Sequence, residues 1–131
     1  MPEANSQQPI NHAATLVESY ATGKRDFSKA ELGNADLQGI NLKGSDLSYA
    51  DLSEANLSSA NLKGADLSFA DLSQANLKDT DLRGALLMSA NLRQAELKGA
   101  NLKKADYDHS THFPDDFDPV KAGMQIKFVN Y

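Results

Sequence analysis

Residues 35–69 read ADLQG-INLKG-SDLSY-ADLSE-ANLSS-ANLKG-ADLSF, seven blocks of five that share one motif. Extended outward, the same register runs from Arg25 to His109 as 17 blocks without an insertion or deletion. The central residue is Leu in 15 of them, with Phe27 first and Tyr107 last. Two places earlier stands Ala in 13, and the residue between is Asp, Asn or Glu in every block but one, where Leu86 intrudes. Self-similarity this regular decides the fold before any local propensity does, since a unit too small to bury its apolar side must stack on its neighbours.

A period of five cannot make an amphipathic α-helix. At 100° per residue successive Leu would step round by about 140° and form no stripe. In an extended segment residues two apart share a face, so Ala and Leu point together while the Asp or Asn between them points away. The last two residues of each block are mostly Gly, Ser, Lys and Asn, which suit a turn. Each block is therefore a short side followed by a corner, and sides with inward Leu must wind into a coil. The composition agrees: Trp is absent, aromatics are 7%, and Leu and Ala supply most of the apolar set.

The run A(D/N)LxG, as in Ala35-Asp36-Leu37-Gln38-Gly39 and Ala65-Asp66-Leu67-Ser68-Phe69, resembles the pentapeptide-repeat family. That resemblance covers residues 25–109 and implies an all-β solenoid, a right-handed quadrilateral β-helix with four blocks per coil. Residues 20 apart would then stack, giving about four coils and a shaft about 20 Å long at about 4.8 Å per coil. The tail motif F-P-x-x-F-D-P-x-x-A-G, from Phe113 to Gly123, is similar to tails that follow the repeats in cyanobacterial members.

The open ends of such a coil expose Leu and unpaired edges, so both flanks are read as covers. Residues 1–24 divide into a disordered, polar start over about the first ten residues and a capping helix over about 12–22. Asn11 is the expected N-cap; Ala13, Leu16, Val17, Tyr20 and Ala21 form the apolar stripe, and Gly23 ends it. Lys24 and Arg25 suit the negative end of that helix. Residues 110–131 lose the period, and Phe113, Phe117, Met124, Ile126, Phe128 and Val129 are expected to cover the last coil. With both ends covered, a monomer is expected.

Read as columns of residues 20 apart, the outside acquires a pattern. Lys43, Lys63, Arg83 and Lys103 form a basic ridge that can face an anion, beside a corner of Gly44, Gly64 and Gly84. Asp26, Asp46, Asp66 and Asp106 form one acidic column and Glu31, Asp51 and Asp71 the next. Asp and Asn there are explained by bonds to the neighbouring turn backbone. Leu86 and Met88 should face outward on the side that carries Tyr49 and Phe69, and together these four form a candidate partner patch.

Function classes narrow accordingly. A formal net charge of −5 argues against a general nucleic-acid binder, and nucleic acid is not an expected partner. There is no Cys, so disulfide and thiol chemistry are excluded. No basic start followed by an apolar stretch marks a signal peptide, and no apolar run approaches the roughly 18 residues of a membrane span, so a cytoplasmic protein with no membrane partner is expected. No phosphate loop and no nucleophile with a base at recognisable spacing appears, so no enzyme and no cofactor is expected. His109 and His112 sit among Asp106, Asp108, Asp115 and Asp116, at a spacing that fits no standard metal site. The leading reading is a rigid interaction or scaffold module with an unidentified protein partner. The alternative comes from the resemblance: some members of the family mimic double-stranded DNA and act on DNA gyrase. A shaft of about 20 Å would match only about 6 base pairs, and one of its sides is basic.

Overall fold

The computed structural model of the chain describes residues 10–128. From Asp26 to Lys104 every block of five gives a bridging residue at its second position and a turn at its last two places. Thirteen successive bridges, Asp26↔Asp46 through Leu86↔Asp106, are parallel and join residues 20 apart, so Leu57 and Leu77 lie one rung from each other. Because two of every five residues are spent on the turn, the sides are single bridges and not continuous strands.

The backbone amides explain why the motif is five residues long. In block 65–69, Ala65 N–H closes the preceding turn on Leu62 O (3.0 Å), and Asp66 N–H bonds the rung before at Ser45 O (2.9 Å). Leu67 and Phe69 N–H bond the rung after, at Leu86 O (2.7 Å) and Met88 O (2.9 Å). The fifth amide, Ser68 N–H, has no rung to reach and donates to Asp66 Oδ1 (2.9 Å). All five donors are satisfied, as buried or stacked backbone requires. The same side-chain bond recurs at Asn41, Asp46, Asp51, Asn56, Asn61, Asp71, Asn76 and Asp81. Inward of this ladder the central Leu and the Ala two places before it form one buried column.

Three inward positions carry hydroxyls. Thr80 Oγ1 donates to Leu57 O (2.8 Å), 23 residues back, and Thr111 Oγ1 does the same to Leu87 O (2.8 Å). Ser45 Oγ is also buried and finds no partner among the described residues. By the same step its acceptor would belong to residue 22, and Thr22 lies at the end of the helix, where no earlier rung exists.

That helix, α1, spans Ala13–Ala21. Its N-cap is His12 in extended conformation with no side-chain bond, not Asn11; Asn11 stands one residue too early to reach the first free amides. Gly23 at φ +102 turns the chain, with Gly23 N–H on Tyr20 O (3.0 Å) and Lys24 N–H on Ser19 O (3.0 Å), a Schellman closure. Arg25 donates to Tyr20 O (3.0 Å) and lies over the Tyr20 ring at 3.6 Å. Leu16 is fully buried in the repeat core, with Ala13 and Tyr20 packed against it. Val17 and Ala21 stay exposed, so the buried stripe is narrower than the sequence pattern. Ile10 is not part of a loose start: it is buried, and its carbonyl accepts Glu31 N–H (2.6 Å), because it supplies the edge that the first rung lacks. The rest of the expected disordered start lies outside the described residues.

At the other end the ladder does not stop at His109. One extra residue is absorbed after Asp108, so that Asn91 pairs His112, 21 residues on. Asp108 holds this shift: its Oδ1 accepts Ser89 N–H (3.0 Å) and Ser110 N–H (3.0 Å). The chain then returns to the first side, where β1 (Asp106–Tyr107) pairs in parallel with β2 (Gln125–Ile126). Met124 is buried and Phe113 and Phe117 pack on the core, but Ile126 and Phe128 are exposed, since they stand on the last rung with nothing beyond. Val129 lies outside the described residues.

Candidate functional site

The four blocks of each 20-residue rung define four sides, numbered here from Arg25. Side 1 carries the candidate patch. Tyr49 and Phe69 occupy successive levels of one corner column, with rings stacked at 4.8 Å and 1°. They remain 57% and 53% exposed, so the fold gains little by burying them. Both sit at positive φ (62° and 63°), a conformation that costs a bulky residue about 1–2 kcal/mol. Leu86 and Met88 are on the same side at the next rung. They are half-buried and not fully outward as the sequence register implied, because the tightly spaced columns partly shield each other. The described part of the C-terminal segment adds a rung beyond them, at Gln125–Ile126.

Leu86 has a local cost. From Asp26 to Asn101 each Asp or Asn at its position takes the amide two residues on, and Leu cannot, so Met88 N–H is left without that acceptor. The following amide, whose counterpart in the earlier blocks reaches a next-rung carbonyl, is Ser89 N–H, and it takes Asp108 Oδ1 (3.0 Å). An apolar residue is thus held where the fold asks for a carboxylate.

The basic ridge on side 4 is present in geometry. Lys43, Lys63, Arg83 and Lys103 are all exposed, and the next corner is turned by Gly44, Gly64 and Gly84 at φ +72, +69 and +67. Its charges are not equally available. Arg83 is bidentate on Asp81, Nε to Oδ1 at 2.9 Å and NH2 to Oδ2 at 2.7 Å. The Arg83 side chain is the main reason the Asp81 carboxyl titrates below its ordinary range, and Asp81 raises Arg83 in turn. Asp26 is also lowered, chiefly by the Ser28 hydroxyl at 2.7 Å and then by the Ser28 amide. Structural bonds explain both shifts.

Charge divides the shaft along its diagonal. Over 25–104, the blocks of sides 1 and 2 carry seven carboxylates against three cations, while those of sides 3 and 4 carry seven cations against four carboxylates. In the six-block stretch 45–74 the part on sides 1 and 2 holds Asp46, Asp51, Glu54, Asp66 and Asp71 and no cation. This asymmetry was readable by stepping 20 residues at a time, and so was Ser89, which follows Phe69 in the corner column.

The histidines do not converge. His112 Nδ1 lies 3.2 Å from an Arg93 NH2, whereas the His109 ring faces Phe128 at 5.7 Å. Among the described residues no group of three or more His, Cys, Asp or Glu can hold a metal, and no helix is long and apolar enough to cross a membrane.

Comparison with known proteins bears on this surface and on the fold. The family profile described as pentapeptide repeats matches residues 26–64 and 65–103, in eight copies. Comparison with the curated proteins finds no match. Among solved structures the chain is similar to alr5209, a pentapeptide repeat protein from Nostoc Pcc 7120, with 69% identity, a TM-score of 0.92, and coverage of 92% of this chain and 100% of that one. It is also similar to HetL, a pentapeptide repeat protein involved in heterocyst differentiation regulation in Nostoc sp. strain PCC 7120. There the identity is 34% and the TM-score 0.48, and the match covers 74% of this chain but only 46% of HetL. A pentapeptide repeat protein from the Arabidopsis thaliana thylakoid lumen matches with 36% identity and a TM-score of 0.49, over 71% of this chain and 61% of that one.

Proposed function

Since the chain belongs to the pentapeptide-repeat family, we propose that it is a non-enzymatic interaction module, a rigid right-handed quadrilateral shaft that presents side 1 to a protein partner. In this reading α1 and the C-terminal rung cap the two ends, the molecule is a monomer, and it works in the cytoplasm. The observation that carries the proposal is the exposed apolar area gathered on one side. Tyr49 and Phe69 are exposed at positive φ, and Leu86 displaces the carboxylate that its turn needs. Positive φ recurs at corners of every side, as at Glu54, Ser59 and Lys104, so side 1 is set apart by the large apolar side chains it exposes there and by Leu86, which points to selection for contact.

Leu86→Asp tests this directly. Restoring the turn acceptor for Met88 N–H is expected to raise stability by about 0.5–1.5 kcal/mol in urea unfolding. The same change is expected to abolish capture of a partner from source cells. A variant that is more stable and captures the same proteins as the native chain would sink the proposal. The DNA-mimic alternative finds no supporting observation, since a mimic of duplex DNA is acidic all round and side 4 is cationic.

A further inference from the structure

Side 1 offers more than apolar area. The Tyr49 and Phe69 rings lie flat on one another at rung spacing, so one face of Phe69 is occupied by Tyr49. The next level of the same corner is Ser89, whose small side chain leaves the other face of Phe69 without a stacking neighbour. Met88 and Leu86 stand beside that level, tied to Phe69 through its N–H on Met88 O (2.9 Å). On Phe69's own rung the corner is flanked by Asp66 and Asp71, one on each adjoining side. Their turn bonds, from Ser68 N–H and from the Ser73 amide and hydroxyl, all use Oδ1 and leave Oδ2 out of the turn.

Resting on the interaction-module reading, we propose that this corner receives an arginine-bearing segment of a partner protein, with a guanidinium laid on the free face of Phe69 above Ser89. The ring stack sets the shape: a flat group at the same spacing continues the column, and a guanidinium is flat and binds aromatic faces. Charge sets the sign, because the blocks of sides 1 and 2 on the two stacked rungs hold five carboxylates and no cation. The edge donors of the guanidinium meet Asp66 and Asp71, and Leu86 and Met88 cover its aliphatic stem. A lysine ammonium satisfies the charge but neither the planarity nor the two-sided donors.

The full chain is titrated with two acetylated hexapeptide amides, one alternating Leu and Arg and one alternating Leu and Lys, while the Phe69 ring and Met88 methyl resonances are followed. The arginine peptide is expected to bind at least about five-fold more tightly than the lysine peptide. Phe69→Ser and Asp71→Asn, each a residue the repeat uses at equivalent places, are expected to remove that preference without lowering the thermal midpoint. Equal affinities for the two peptides, or a preference that survives Phe69→Ser, overturns the proposal. If Leu86→Asp still abolishes partner capture while the arginine preference is absent, the surface reading stands and the arginine inference alone falls.

Discussion

The corner that carries Gly44, Gly64 and Gly84 and the corner that carries Tyr49 and Phe69 use the same left-handed turn, at φ +67 to +72 in one and 62 and 63 in the other. Beneath each lies a fully buried Leu, and above and below each lies the same ladder. What differs is only what stands outside. Glycine takes the conformation without strain and displays nothing, while the aromatics take it at a cost and stay more than half exposed. The backbone of this shaft is therefore indifferent to its surface, and a surface that costs stability is informative.

The largest effect should be the one that ignores the contrast. Leu62→Ala under the glycine corner and Leu67→Ala under the aromatic one are each expected to cost about 2–5 kcal/mol in urea unfolding, and by like amounts. A much smaller loss at Leu67 would mean that the aromatic corner is loosely packed inside as well as different outside. Next comes the block that leads into Tyr49. Ser45→Ala removes a buried hydroxyl with no partner among the described residues and restores the repeat's own residue, so a gain of about 1–3 kcal/mol is expected. No gain would show that Ser45 does find an acceptor.

The corners themselves separate in the third test. Gly64→Ala meets no atom within 4 Å, so its expected loss of about 1–2 kcal/mol is backbone strain alone. Phe69→Gly relieves the same strain but gives up the ring stack, and should stay within about 1 kcal/mol of the native chain. If Gly64→Ala proves neutral, the strain assigned to Tyr49 and Phe69 disappears with it. The smallest effect is on the cationic side. Asp81 has a depressed carboxyl in the folded state, so the stability it contributes is present above its ordinary value of 3.8 and is lost as pH falls through the lower folded value. Asp81→Asn keeps an acceptor for Arg83 N–H but lacks the charge, and the acid limb of its stability profile should be correspondingly shallower.

Much of this was legible in the letters. The step of five fixed which residues turn inward, and the step of 20 placed Tyr49 over Phe69 and Lys63 over Arg83 before any coordinates. What escaped had long-range causes. Asn11 looks like a cap, but which residue caps depends on where α1 meets the first rung. Leu86 and Met88 read as outward, yet their exposure is set by neighbouring columns. The continuation past His109 was hidden because a single extra residue destroys the pattern for a reader while the chain absorbs it through Asp108. How many of the Arg83 donors remain free was likewise invisible, since its pairing with Asp81 depends on rotamer and not on register.

The closed amide ledger of a block has a consequence for length. In a regular block such as 65–69 every N–H is answered by its own turn, by the rung before or by the rung after, at offsets that repeat along the shaft. Cutting out residues 45–64 would bring Gly44 to Ala65 with matching sides, and duplicating them would do the converse. Such a chain could grow or shrink by whole storeys in a single genetic event, carrying its decoration with it, while partial deletions would scramble every face downstream.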